Sequence, residues 1–119
     1  MSVILLLMSC GAGRNPVITR DPSPELVQGG AVFRYINSEA KKVFLVGDFN
    51  NWSPQSDPMK DLNGDGYWSL FYPLRPGEYQ YKFIVDDQWI PDPLNTESVP
   101  DGFGDINSVI KIPEIPPEG

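Results

Sequence analysis

The segment EYQYKFIVD, residues 78–86, shows the clearest alternation in the chain. Tyr79, Tyr81, Phe83 and Val85 fall on one side, and Gln80, Lys82, Ile84 and Asp86 on the other. A period of two puts successive side chains on opposite faces of a strand, whereas neighbours on a helix face recur at three and four. This stretch is therefore a strand with one apolar face. Three more segments read as strands in the same way, AVFRYIN from Ala31, GYWSLFYPL from Gly66 and INSVIKI from Ile106, and KKVFLVGDF from Lys41 is a β-branched and aromatic run buried on at least one face. None carries a 3.6-residue apolar period over helical length. The 13 prolines and 11 glycines of the chain fall largely outside these segments, which fits short strands and turns rather than long helices. The predicted class is all-β, an antiparallel sandwich.

Two loops carry specific expectations. Pro76-Gly77 predicts a type II turn feeding the 78–86 strand. Asp61 to Gly66 reads D-x-N-x-D-G, the opening of a calcium loop, but its twelfth position is Tyr72, where a bidentate Glu is needed. With no helices flanking it, the segment is read as a Gly-rich turn with no metal. Along the chain, residues 1–9 form a candidate lipoprotein-type signal segment, 10–29 a flexible Pro-containing linker, 30–112 the folded domain and 113–119 a Pro-rich tail.

The charge and the missing residue types exclude several functions. A net charge of −7 disfavours nucleic acid, whose affinity rests on a basic face. With no His and one Cys, the usual neutral-pH base, thiolate metal sites and internal disulfides are absent from the repertoire. No cofactor and no catalytic group is expected. The single cysteine follows the apolar run Val3–Met8 in the order Leu7-Met8-Ser9-Cys10, which resembles a bacterial lipobox, although no positive residues precede it. Cys10 is thus a candidate lipidation site, predicting a lipid-anchored chain at the cell envelope; a short N-terminal strand in a cytoplasmic chain is the alternative.

The candidate site residues cluster at strand ends. Trp52 follows Asn50 and Asn51 in GDFNNWS, Lys82 lies on the polar side of its strand, Trp89 follows the two-acid turn in VDDQW, and Phe103 and Asn107 precede or open the last strand. Trp68, within a strand, is expected to pack on the sheet, and Asn50 and Asn51 to shape their turn. An indole covers the C–H face of a pyranose with little entropy lost, while amide and amine groups hydrogen-bond its hydroxyl rim. Such a set suits a sugar.

Taken together, VFRY, KKVFLVGDFNNWS, GYWSLFYPLRPGEYQYKFIVDDQWIPDP and NSVIKI resemble the glycogen-binding domain family, over about Ala31 to Ile112. Members stand at the N-terminus of isoamylases and glycogen-branching enzymes and in the β subunit of AMP-activated protein kinase. The resemblance implies an immunoglobulin-like β-sandwich of the early-set type. It implies that Trp52 and Trp89 stack on sugar rings, that Lys82 and Asn107 bond hydroxyls, and that Phe103 fills the place of an apolar residue that is leucine in the kinase subunit. Asp105 stands where the kinase subunit has threonine. The expected function is non-catalytic binding of α-glucan polysaccharide or oligosaccharide. The alternative is a protein-interaction or envelope adaptor domain that keeps the sandwich and uses the same aromatics to dock a protein partner.

Overall fold

The computed structural model describes residues 22–114. Cys10, the 1–9 segment and most of the 113–119 tail lie outside the described residues. Within them the chain forms eight strands in two antiparallel sheets and one 3₁₀ turn, Asp48–Asn50. In the first sheet β1 (Glu25–Val27) pairs with β2 (Gly30–Ile36), which pairs along its whole length with β4 (Tyr67–Pro73). In the second, β5 (Gly77–Val85) is central. One edge of it takes β3 (Val43–Gly47). The other edge is divided: β8 (Ile106–Ile112) pairs with Gly77–Tyr81, and β6 (Gln88–Ile90) with Phe83–Val85. The short β7 (Ser98–Pro100) closes the outer edge beside β8. This is the expected immunoglobulin-like β-sandwich.

The alternation reads directly into the core. Phe33 and Tyr35 of β2 meet Tyr81, Phe83 and Val85 of β5, with Val43, Leu45 and Ile110 filling the layer between the sheets. Phe33 and Tyr81 pack edge to face with centroids 4.8 Å apart, a geometry aromatic quadrupoles favour. Trp68 packs against this core as expected, its Nε1–H donating to the Asn37 carbonyl at 3.2 Å. Asp61 accepts the N–H groups of Asp65 and Gly66 at 3.1 and 2.8 Å, so its loop is a side-chain-closed turn.

Three expectations need correction. Residues 22–29 of the predicted linker are part of the fold: β1 lies there, and Ser23 is buried with its hydroxyl donating to Asp92 at 2.6 Å. A serine held by one buried carboxylate leaves no trace in a Pro-rich pattern. Pro76-Gly77 is not a type II turn, because Gly77 has φ 152° and already begins β5. The supposed polar side of β5 is also covered, since Lys82 and Ile84 are both buried.

Asp86 and Asp87 form the two-residue connection from β5 to β6, with φ 47° and 73°. Two left-handed residues make the hairpin turn that matches strand twist, usually with Gly second. Asp86 has a local use, accepting the Lys41 and Lys42 N–H groups at 2.9 and 3.0 Å. Asp87 is exposed and faces the Lys42 ammonium at 3.6 Å. We therefore expect Asp87→Gly to stabilise the domain by about 0.5–1 kcal/mol in urea unfolding, by relieving left-handed strain. Asp86→Gly should not stabilise it.

Candidate functional site

The divided edge of β5 creates the site. Tyr81 is the last residue paired with β8 and Phe83 the first paired with β6, so Lys82 stands where one neighbour hands over to the other. Around that gap lies an open hollow of about 310 Å³, lined by Trp52, Lys82, Trp89, Asp101, Phe103 and Asn107. All five residues singled out from the sequence line this one hollow, on the outer face of the five-stranded sheet.

Each is held by local chemistry. Trp52 follows the 3₁₀ turn, where Asn51 and Trp52 both have positive φ, 59° and 56°. Asn50 stabilises that reversal: its side chain accepts from the Gly47 N–H and donates to the Leu45 carbonyl and the Asp57 carboxylate. The Trp52 indole N–H donates to Asp48 at 3.1 Å, and the other Asp48 oxygen takes the Gln80 N–H at 2.8 Å. The half-buried indole is thereby tied to β5. Trp89 sits on β6 opposite Ile84, not in a loop, and remains 45% exposed. Asn107, half-buried on β8, donates to Gln80 at 2.9 Å.

Lys82 is not a solvated strand-face charge. Its ammonium lies 3.3 Å from Asp101 and 3.4 Å from Asp105, and its side chain is 8% exposed. Asp101 went unnoticed in the sequence, and Asp105 had no assigned role; together they fix the lysine. Asp101 also builds the loop before β8. Its Oδ1 accepts the Phe103 N–H at 2.7 Å and the Asp105 N–H at 3.1 Å, while its own N–H donates to the Asp105 carbonyl. The Phe103 N–H holds the Asp101 carboxyl below the usual carboxylate range, outweighing its partial burial, with further help from Asp105 and Lys82. Gly102 and Gly104 flank Phe103 at φ 85° and 93°, conformations open to glycine. The result is a tight loop presenting a phenylalanine that is 92% exposed. The signal for Asp101 was present as an Asp two residues before Phe103, the spacing of a side-chain-to-backbone turn.

Chemically the hollow combines two indoles, a phenyl group, an amide and an ammonium of which two N–H groups are engaged. It has apolar faces for C–H surfaces and donors for hydroxyl oxygens.

Residues 30–117 match the family described as the glycogen recognition site of AMP-activated protein kinase. The chain is similar to 5'-AMP-activated protein kinase subunit beta-2 of Mus musculus, 40% identical over 72 residues that make up 60% of this chain and 25% of that protein. It is similar to Protein PTST homolog 2, chloroplastic, of Arabidopsis thaliana, 47% identical over 57 residues, 48% of this chain and 10% of that one. It is also similar to 1,4-alpha-glucan branching enzyme GlgB 2 of Clostridium perfringens, 38% identical over 60 residues, 50% of this chain and 9% of that enzyme. The chain spans a quarter or less of the length of these three relatives.

Proposed function

The chain belongs to the family of the glycogen recognition site of AMP-activated protein kinase, and from that premise we propose that it is a non-catalytic α-glucan-binding module working through a tryptophan platform. The observation that carries this reading is the convergence of Trp52, Lys82, Trp89, Phe103 and Asn107 on one open hollow. Neither indole is buried under the sheet: Trp89 is exposed and Trp52 half-exposed. A sugar ring laid on them buries apolar area against rigid groups, the contact that loses least conformational entropy. The remaining N–H of Lys82 and the Asn107 amide then meet hydroxyl oxygens at the rim, fixing orientation more than adding affinity. The membrane tether expected at Cys10 is a separate part of this proposal, since residues 22–114 contain every side chain the binding reading uses.

An open site orders a flexible oligosaccharide and buries little area, so a Kd of about 10 µM to 1 mM is expected for maltoheptaose. The test is tryptophan fluorescence and calorimetric titration with maltoheptaose, using cellohexaose as the β-linked control. Saturable quenching by the α-linked sugar alone supports the reading. No response to it at about 20 mM, well above that expected range, overturns it and leaves the adaptor role.

A further inference from the structure

We propose that Asp101 and Asp105 make this site selective for neutral glucan, rejecting glucan that carries phosphate monoesters. This rests on the reading of the hollow as a glucan site and adds a specificity to it.

The argument starts from Lys82. A lone ammonium beside a sugar groove would be a ready partner for phosphate. Here the lysine lies between two carboxylates at 3.3 and 3.4 Å, so this cluster carries one positive and two negative charges. Both acids are fixed in place. Asp101 takes two backbone N–H groups on its Oδ1, and Asp105 takes the Ile106 N–H at 2.8 Å. Neighbouring charges do not reverse the sign. Asp48 holds the Trp52 indole, and Lys42, beyond Trp89 in an adjacent small hollow, is paired with Asp87 at 3.6 Å. A phosphate dianion on a sugar over the two indoles therefore meets net negative charge at short range. The low-dielectric aromatic walls focus that field, while the open side of the hollow leaves it accessible to salt. A neutral hydroxyl meets only hydrogen-bonding groups. This is discrimination by an unfavourable contact with the wrong ligand, while the right ligand keeps the remaining Lys82 N–H.

The experiment compares maltoheptaose with its 6-phosphate monoester on the wild-type chain and on Asp105→Asn. At about 50 mM salt the wild type is expected to bind the phosphorylated sugar about three- to tenfold more weakly. At about 0.5 M salt, where the screening length is a few ångströms, the ratio should fall towards one. Asp105→Asn, which leaves one carboxylate against the lysine, should also bring the low-salt ratio towards one. Equal affinities in the wild type overturn the proposal while leaving glucan binding intact. So does a ratio that neither salt nor the variant changes, because that marks exclusion by shape. The salt series on the wild type decides even if the variant binds neither sugar. Failure of both sugars on the wild type overturns the glucan reading and this inference with it.

Discussion

Replacing Asp92 by alanine is expected to remove about 3–5 kcal/mol of unfolding free energy, a large share of what a single domain has. Asp92 is 2% exposed and ties together parts of the fold that are distant in sequence. Its Oδ2 accepts the Ser23 hydroxyl at 2.6 Å and the Tyr81 hydroxyl at 2.7 Å, and its Oδ1 accepts the Leu94 N–H at 2.9 Å. Its own N–H donates to Ser108 at 2.8 Å. Ser23 in turn accepts the Arg34 N–H at 2.9 Å, which pins the entering chain to β2. Alanine leaves the buried Ser23 and Tyr81 hydroxyls and the part-buried Leu94 N–H without this acceptor, and each stranded buried donor costs about 1–3 kcal/mol. Ser23→Ala removes one donor to Asp92 and the acceptor of the Arg34 N–H, and should cost less, about 1–3 kcal/mol. Urea unfolding of the two variants checks this ordering.

The same residue predicts a pH dependence. Burial raises the Asp92 pKa above its ordinary 3.8, against the opposing hydrogen bonds from Ser23, Tyr81 and Leu94. Ionisation therefore opposes folding at this position. Its contribution is full below the unfolded value and is lost as pH rises through the folded one. Asparagine does not titrate, so the deficit of Asp92→Asn relative to wild type should be largest near pH ~3 and shrink towards pH ~7. A deficit that grows with pH would contradict this assignment.

Asp92 also shows where reading the sequence stops. Four of the five longer strands were legible from alternation over seven to nine positions, and β3, VFLVG, from its continuous β-branched and aromatic run. The strands β1, β6 and β7 have three residues each, too few to show a period. The last ends in Pro100, tolerated there because β7 is an edge strand. Ser23 and Asp92 are distant in sequence, and their contact exists only after the sheets have closed. Within the site, aromatic and amide residues at strand ends were legible as a set. Their meeting at one hollow was not, because it depends on β8 and β6 sharing an edge of β5. The charge state of the site was the least legible part. Alternation placed Lys82 on a polar face, and only the folded loop brings Asp101 and Asp105 onto its ammonium.

Trp89→Ala is expected to weaken maltoheptaose binding about thirtyfold, the largest functional effect of any single change at the site. An exposed indole face covered by a pyranose removes about 80 Å² of apolar surface, which at ~25 cal/mol per Å² is about 2 kcal/mol. The loss should fall on affinity far more than on stability. Trp89 lies on a three-residue strand and is 45% exposed, so truncation costs about 1 kcal/mol of folding through its cross-strand contact with Ile84. Trp68→Phe supplies the opposite pattern. That indole lies on β4 in the other sheet, packed on the core with its N–H bonded to Asn37, so its replacement should lower stability by about 1 kcal/mol and leave sugar affinity unchanged. Calorimetric titration and urea unfolding on both variants separate platform from scaffold. Equal affinity losses in the two would mean that sugar binding reports only on the integrity of the sandwich. A thirtyfold loss confined to Trp89→Ala would assign it to the indole that the β5–β6 hairpin presents in the hollow shared with Lys82.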